Sequence, residues 1–385
     1  MNASLPIPNN EAQAQSVSLA NLIRTEIAAN GGWLDFARYM HLALYAPGIG
    51  YYSGGLKKFG SGGDFVTAPE ISPLFARTLA RQAAEVVAMT QGDILELGAG
   101  TGRLAAGLLL ELARLQNLPQ RYFILEVSAH LRDEQRRTLE AVLPAELFCK
   151  VSWLDTLPDS FRGLVLGNEV LDALPVHVIR ASADGAQEMG VALEQNAFVW
   201  RARPLVNLRL QEMLQGLDLP AGYTTELCPA AAGLVASLGD MLEEGVILLI
   251  DYGFPRREYY HAQRHQGTLI CHYRHYAHDD PFLYPGLQDI TAHVDFTLVA
   301  ETAMARGLAL KGYCGQAQFL INCGITELLT ETSPQDMAAY APLAAAAQKL
   351  LSPAEMGELF KVAAFARRCE SPLMGFSRGD RSYTL

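Results

Sequence analysis

Residues Asp93 to Arg103 read DILELGAGTGR, with an acid, Glu96, two positions before the first of three glycines, Gly98, Gly100 and Gly102. Ile94 to Leu97 have strand character, and Leu104, Leu108, Leu112 and Leu115 recur at a spacing that lines one face of a helix. The glycines let the backbone turn sharply and meet a ligand without Cβ interference. The helix start behind them offers unpaired N–H groups and the positive end of a dipole. Together these residues make a nucleotide-cofactor loop at the first strand–helix crossing of a doubly wound sheet.

Details around the glycines bear on which cofactor. A dinucleotide loop is spaced G-x-G-x-x-G, the third glycine packing helix on sheet and the helix start holding a pyrophosphate. Here the spacing is G-x-G-x-G, and the carboxylate of Glu96 would repel a pyrophosphate. It suits a ligand that carries an ammonium and a sulfonium, which is the chemistry of S-adenosyl-L-methionine. The stretch resembles motif I of the class I methyltransferases, and an NAD-type oxidoreductase is the less favoured reading.

Further polar residues stand where strands should end. Glu126 closes RYFILEVS (121–128), where a carboxylate can accept from both hydroxyls of a ribose. CKVSWLD (149–155) brings Trp153 and Leu154 to the adenine side, although Trp153 also reads as core. GLVLGNEV (163–170) delivers Asn168 and Glu169, with Asp172 close behind. His293 lies in TAHVDF, either as an active-site group or as a histidine capping the next helix. His272, His275 and His278 recur every three residues without matching Cys or carboxylate spacing, so no metal site is expected.

Around these residues the chain is expected to divide as follows. Residues 1–89 form a loose tail (1–15), two helices (17–29 and 33–45) and a glycine-rich lid. The lid has seven glycines between Gly48 and Gly63 but also Tyr51, Tyr52, Phe59 and Phe65, which favour order over a linker. Residues 90–175 hold the first part of the α/β core and 176–244 an inserted β-meander with a mostly helical stretch. Residues 245–324 complete the core around a substrate loop at 254–293, with a final strand near 316–323. Residues 325–385 are expected to be helical.

Composition narrows the function classes. Of 385 residues 50% are hydrophobic and 18% charged, enough for a large core. Lys and Arg number 30 against 41 acids, a net charge of −11 that disfavours broad nucleic-acid binding and suits a basic peptide. Six scattered cysteines without C-x-x-C fit a reducing compartment. No apolar run long enough for a membrane span is present. The first 23 residues lack Lys and Arg, which disfavours signal and transit peptides and leads to a cytoplasmic, bacterial-type expectation.

One resemblance covers most of the chain. GYYS, GDFVTAPEIS, LELGAGTG, NEVLDALP and TAHVDF occur in one order, followed by MGELFKV at 356–362. Together they resemble the MidA-type methyltransferases, relatives of the mitochondrial complex I assembly-factor arginine methyltransferase. The resemblance implies a class I, Rossmann-like doubly wound sheet with an N-terminal helical and glycine-rich lid, an inserted β-meander with helical segments, and C-terminal helices. It implies S-adenosyl-L-methionine as cofactor, with Thr67, Pro69, Glu70, Glu96, Gly98, Gly100, Gly102, Glu126, Trp153, Leu154 and Asn168 around it. It places Asn168, Glu169, Asp172 and His293 at the catalytic end and implies a protein arginine as acceptor, with a respiratory NADH dehydrogenase subunit as partner. Ala99 and Thr101 stand where many relatives carry Pro and Arg, and Ala68 where Ser is frequent, which bears on substrate rather than cofactor. A small-molecule or amine methyltransferase, and a non-catalytic assembly factor retaining the cofactor fold, are the other readings.

Overall fold

The computed structural model describes residues 5–55 and 67–385. Of the expected glycine-rich lid, residues 56–66 lie outside the described residues. The described residues form two compact units, one from residues 5–55, 172–233 and 256–293, the other from 67–171, 234–255 and 294–385.

The second unit is the α/β core. Its main strands are β1 Asp93–Leu97, β2 Tyr122–Leu125, β3 Val151–Leu154, β4 Phe161–Asn168, β5 Leu242–Phe254, β6 Ala309–Gly315 and β7 Phe360–Arg367. They lie in the order β6-β7-β5-β4-β1-β2-β3, and a short strand, Val294–Asp295, also pairs with β5. The pairs β1–β2, β2–β3, β1–β4 and β4–β5 are parallel, while β7 runs antiparallel between β5 and β6. The order reverses between β1 and β4, and a sheet of this kind receives its ligand above the carboxyl ends of the strands at that point. Residues 246 to 251 of β5 are all buried, as both faces of a parallel strand require.

Helices follow the strands for local reasons. Helix Arg103–Arg114 starts at Gly102, whose φ of 85° is left-handed. Helix Ala129–Val142 is capped by the Ser128 hydroxyl, which accepts from the Leu131 N–H at 3.2 Å. Helix Pro73–Thr90 has Ser72 as cap and proline in its first turn. A Cβ at Gly107 would stand 2.5 Å from that of Ala76, so the helices 73–90 and 103–114 meet at contact only a glycine permits.

The expectations for the end of the chain need correction. Residues 316–322, expected as the final strand, form a helix, with Gln316 buried and donating to the Leu350 carbonyl at 3.1 Å. The final strand is β7 (FKVAAFAR), within the stretch expected to be helical. Seven of its eight positions are buried, so it shows no alternation, and its alanines read as helix formers. The helices of that stretch are Ile325–Thr330 and Met337–Leu351.

The first unit carries a five-stranded sheet built on Gly185–Glu194, which pairs antiparallel with Leu34–Asp35, His177–Ser182 and Ala197–Pro204; Thr224–Leu227 pairs with His177–Ser182. A second sheet joins Ile270–Tyr273 to Tyr276–His278 and Asp289–Thr291, so the expected loop at 254–293 is in part a small sheet. Helix Asn10–Ala29 begins inside the expected tail, because the Asn9 side chain caps it at 2.9 Å and Ala12, Leu19, Ile23 and Ile27 are buried. Helix Phe36–Tyr45 follows; the span 205–244 holds helix Leu208–Leu214, strand Thr224–Leu227 and helix Pro229–Met241, the last passing into the second unit at 234. The unit's core includes Leu19, Ile23, Phe36, Tyr39, Val178, Val191 and Ile290. Among the described residues, no helix is long and apolar enough to cross a membrane.

Gly163 begins the buried part of β4 with φ of 134°, and a Cβ there would lie 1.9 Å from the Asp93 carbonyl oxygen. Gly163→Ala is therefore expected to destabilise the core by about 3 kcal/mol, combining overpacking with backbone strain. Urea unfolding measures it, and an unchanged midpoint would contradict this account of β1 against β4.

Candidate active site

The glycine turn uses backbone conformations that its residues allow without strain. Gly98, Gly100 and Gly102 have φ of 61°, 53° and 85°, a region that side chains other than glycine enter at a cost. The Gly98 N–H is held by the Leu125 carbonyl at 2.9 Å, which ties the turn to the end of β2. Glu70 approaches from helix Ala68–Ile71: its carboxylate accepts from Thr101 Oγ1 at 2.5 Å and pairs with Arg103 Nε at 3.2 Å. Thr67 and Pro69 open that short helix and make no side-chain cap bond.

Two acids stand side by side at the ends of β1 and β2. Glu96 is buried and accepts from the Tyr122 hydroxyl at 2.7 Å. Burial pushes its carboxyl up to about 7, the Tyr122 hydroxyl pulling the other way and nearby Glu126 adding to the rise. Glu126 is also buried; burial raises its carboxyl, opposed by donors from the Ser128 N–H at 2.9 Å and Gln135 Nε2 at 3.0 Å. Trp153 packs partly against the core and under the Arg136 guanidinium at 4.9 Å, while its indole N–H donates to Gln135 Oε1 at 2.9 Å. The Leu154 carbonyl accepts from Arg132 Nη2 at 2.6 Å, and the same guanidinium reaches the Glu126 carbonyl and the Asp155 carboxylate, each at 2.6 Å.

The end of β4 is a forced turn. Glu169 has φ of 55°, a conformation uncommon for a side chain of its size. It is held there from β5: the Glu169 N–H donates to the Ile250 carbonyl at 2.9 Å, and Asp251 Oδ2 accepts from the N–H groups of Val170 and Leu171 at 3.1 and 2.8 Å. Asn168 Nδ2 donates to Glu169 Oε1 at 3.1 Å, while Asn168 Oδ1 is buried with no hydrogen-bond partner among the described residues. Backbone held in a sparsely populated region beside an unsatisfied acceptor points to function.

The expected site residues thus fall into groups. Glu70 joins the glycine turn; Glu96, Glu126 and Trp153 line neighbouring strand ends; Asn168 and Glu169 form a pair. Asp172 and His293 belong to the other unit, where the Asp172 carbonyl accepts from the Ala292 N–H at 3.0 Å and the His293 N–H donates to Thr268 Oγ1 at 3.1 Å. His272 and His278 lie on the hairpin strands 270–273 and 276–278, with His275 in the left-handed turn between. Sequence reasoning passed over Gln135, Arg132, Tyr122 and Asp251. Gln135 did leave a signal, being a polar residue between Leu131 and Leu139 on the buried stripe of its helix.

Over residues 78–314 the sequence matches the profile of a family described as "Putative S-adenosyl-L-methionine-dependent methyltransferase". The chain belongs to this methyltransferase family. In structure it is similar to a "likely methyl transferase" from Burkholderia thailandensis bound to S-adenosyl-homocysteine, at 52% identity, TM-score 0.96, and coverage of 99% of this chain and 100% of that one. Among curated relatives it is similar to the mitochondrial protein arginine methyltransferase NDUFAF7 of Homo sapiens, 28% identical over 86% of this chain and 79% of that protein. The Drosophila melanogaster homologue is 29% identical over 97% of this chain and 91% of that protein.

The cofactor of the methyltransferase is S-adenosyl-L-methionine, and the residues present fit it. The left-handed glycines leave backbone open to a ligand, and two buried acids that would otherwise be costly to ionise suit one with cationic and hydroxyl groups. An ammonium paired with Glu96 requires the ionised carboxyl, which prevails only above about pH 7. S-adenosyl-homocysteine is therefore expected to bind up to about tenfold more tightly at pH 8 than at pH 6. Glu96→Gln should bind more weakly at pH 8 and lose most of that pH dependence. Calorimetry at both pH values decides; a mutant retaining the wild-type profile would remove Glu96 from the ammonium contact.

Proposed function

We propose that this methyltransferase transfers the methyl group to an arginine of a protein substrate, with Asn168 and Glu169 holding the guanidinium. The observation that carries this is the pair at the end of β4: a carboxylate fixed by strained backbone beside a buried amide oxygen with no partner among the described residues. Two relatives named as protein arginine methyltransferases over most of their length support it.

The cofactor supplies a methyl group already activated by a cationic sulfur, so the chain must align an acceptor nitrogen and balance charge. A guanidinium stays cationic in proteins, and placing it against a sulfonium calls for a carboxylate. Glu169 provides one, and a charge-assisted pair with one edge of the guanidinium leaves another nitrogen directed at the methyl. Asn168 Oδ1 can accept a second guanidinium N–H, while its amide nitrogen keeps Glu169 in place. In this reading Glu96 holds the ammonium and Glu126 the ribose, and Glu70 steadies the glycine turn through Thr101 and Arg103. Asp251 keeps the catalytic turn in its strained form.

The acceptor protein is proposed to be a subunit of the respiratory NADH dehydrogenase, as the family resemblance implies. Incubating the enzyme with that complex's peripheral subunits and methyl-labelled cofactor should label arginine on one of them; label confined to small molecules refutes the protein acceptor. Glu169→Gln keeps shape and removes charge. A hydrogen bond to a charged group contributes about 1.5–3 kcal/mol, so single-turnover methylation with saturating cofactor should slow by roughly ten- to a hundredfold. Cofactor affinity should hold. A wild-type rate would take the acceptor away from Glu169, and lost cofactor binding would move the residue to the cofactor site.

A further inference from the structure

Gln135 is fully buried in the middle of helix Ala129–Val142, a position where an unpaired amide would be costly. Its side chain has one partner on each of three separate segments. Nε2 donates to the Gly100 carbonyl at 3.1 Å and to Glu126 Oε2 at 3.0 Å, while Oε1 accepts from the Trp153 indole N–H at 2.9 Å. The partners also decide which way the amide points. Turned over, it would set an oxygen against two acceptors and a nitrogen against a donor. Its backbone packs equally closely: a Cβ at Gly102 would lie 3.2 Å from Gln135 Cα.

We propose that Gln135 is the positioning residue of the cofactor crevice, holding the glycine turn, the Glu126 carboxylate and the Trp153 indole in one frame and thereby setting affinity for the adenosyl half. The inference rests on the reading of Glu126 as the ribose acceptor. Gln135 engages Oε2 and the Ser128 N–H engages Oε1, so both carboxylate oxygens have a fixed direction before any ligand arrives. Preorganised partners behind a ligand-holding group commonly matter nearly as much as the group itself. Without the amide, the carboxylate can rotate and Trp153 loses its only described acceptor link to the helix.

The test uses the full chain and two ligands, S-adenosyl-homocysteine and its 2′-deoxy analogue. Wild type should prefer the first. Gln135→Met keeps length and volume but none of the three bonds. It is expected to weaken S-adenosyl-homocysteine by about tenfold and the 2′-deoxy analogue much less, so that discrimination collapses. Trp153 fluorescence should shift in the free mutant. Gln135→Asn, which keeps the amide but is one methylene too short to reach all three partners, should move in the same direction by a smaller factor and serves if the methionine variant does not fold. Unchanged affinity, or equal weakening of both ligands, overturns the proposal, because a purely structural role would not distinguish them. Glu126→Gln is the separate control: discrimination that survives it removes the ribose assignment, whereas the Gln135 outcome is read from its own two affinities.

Discussion

A carboxylate inside an apolar sheet must be supplied with donors, and the active end of the core is arranged by that requirement. Glu96, Glu126 and Asp251 are all buried at or next to the carboxyl ends of β1, β2 and β5. Each draws a different segment towards itself. Glu96 takes the Tyr122 hydroxyl from the adjacent strand, Glu126 takes the start and middle of the following helix, and Asp251 takes two N–H groups of the turn after β4. Satisfying the acids therefore shapes the loops that face the ligand.

The same arrangement explains where strain is kept. Three glycines take up left-handed backbone at the first crossing, a region other side chains enter only at a cost. At the end of β4 no glycine is used, and Glu169 adopts φ of 55° because Ile250 and Asp251 hold the backbone on either side of it. A glycine would relax that turn but could not carry a carboxylate. Strain at Glu169 is thus the consequence of sharp curvature imposed on a residue that carries a side chain.

The first unit follows other rules. Its sheet is antiparallel and its core aromatic and aliphatic, with Tyr39 stacked on Phe36 at 5.7 Å and donating to the Pro281 carbonyl at 2.8 Å. One of its buried acids, Glu226, accepts from Thr268 through N–H and hydroxyl, each at 2.9 Å, which fastens strand Thr224–Leu227 to the segment leading into Ile270–Tyr273. Buried carboxylates serve here as fasteners between segments distant in sequence.

By itself the sequence determined the strand, glycine turn and helix around Gly98 to Gly102, the continuous apolar run of β5 and the acids at strand ends, because these are short-range patterns of period, turn chemistry and charge. It also made Asn168 and Glu169 visible as polar residues following a buried strand. Only tertiary structure decided that 360–367 is the strand between β5 and β6, since a strand buried on both faces shows no alternation and alanine favours a helix locally. Tertiary structure also decided that residues 316–322 are helical, with Gln316 anchored to Leu350 some thirty positions away. The partners of the acids were equally hidden. Gln135 and Asp251 act on residues far along the chain, and the direction of a side chain across a crevice follows from packing that no local pattern records.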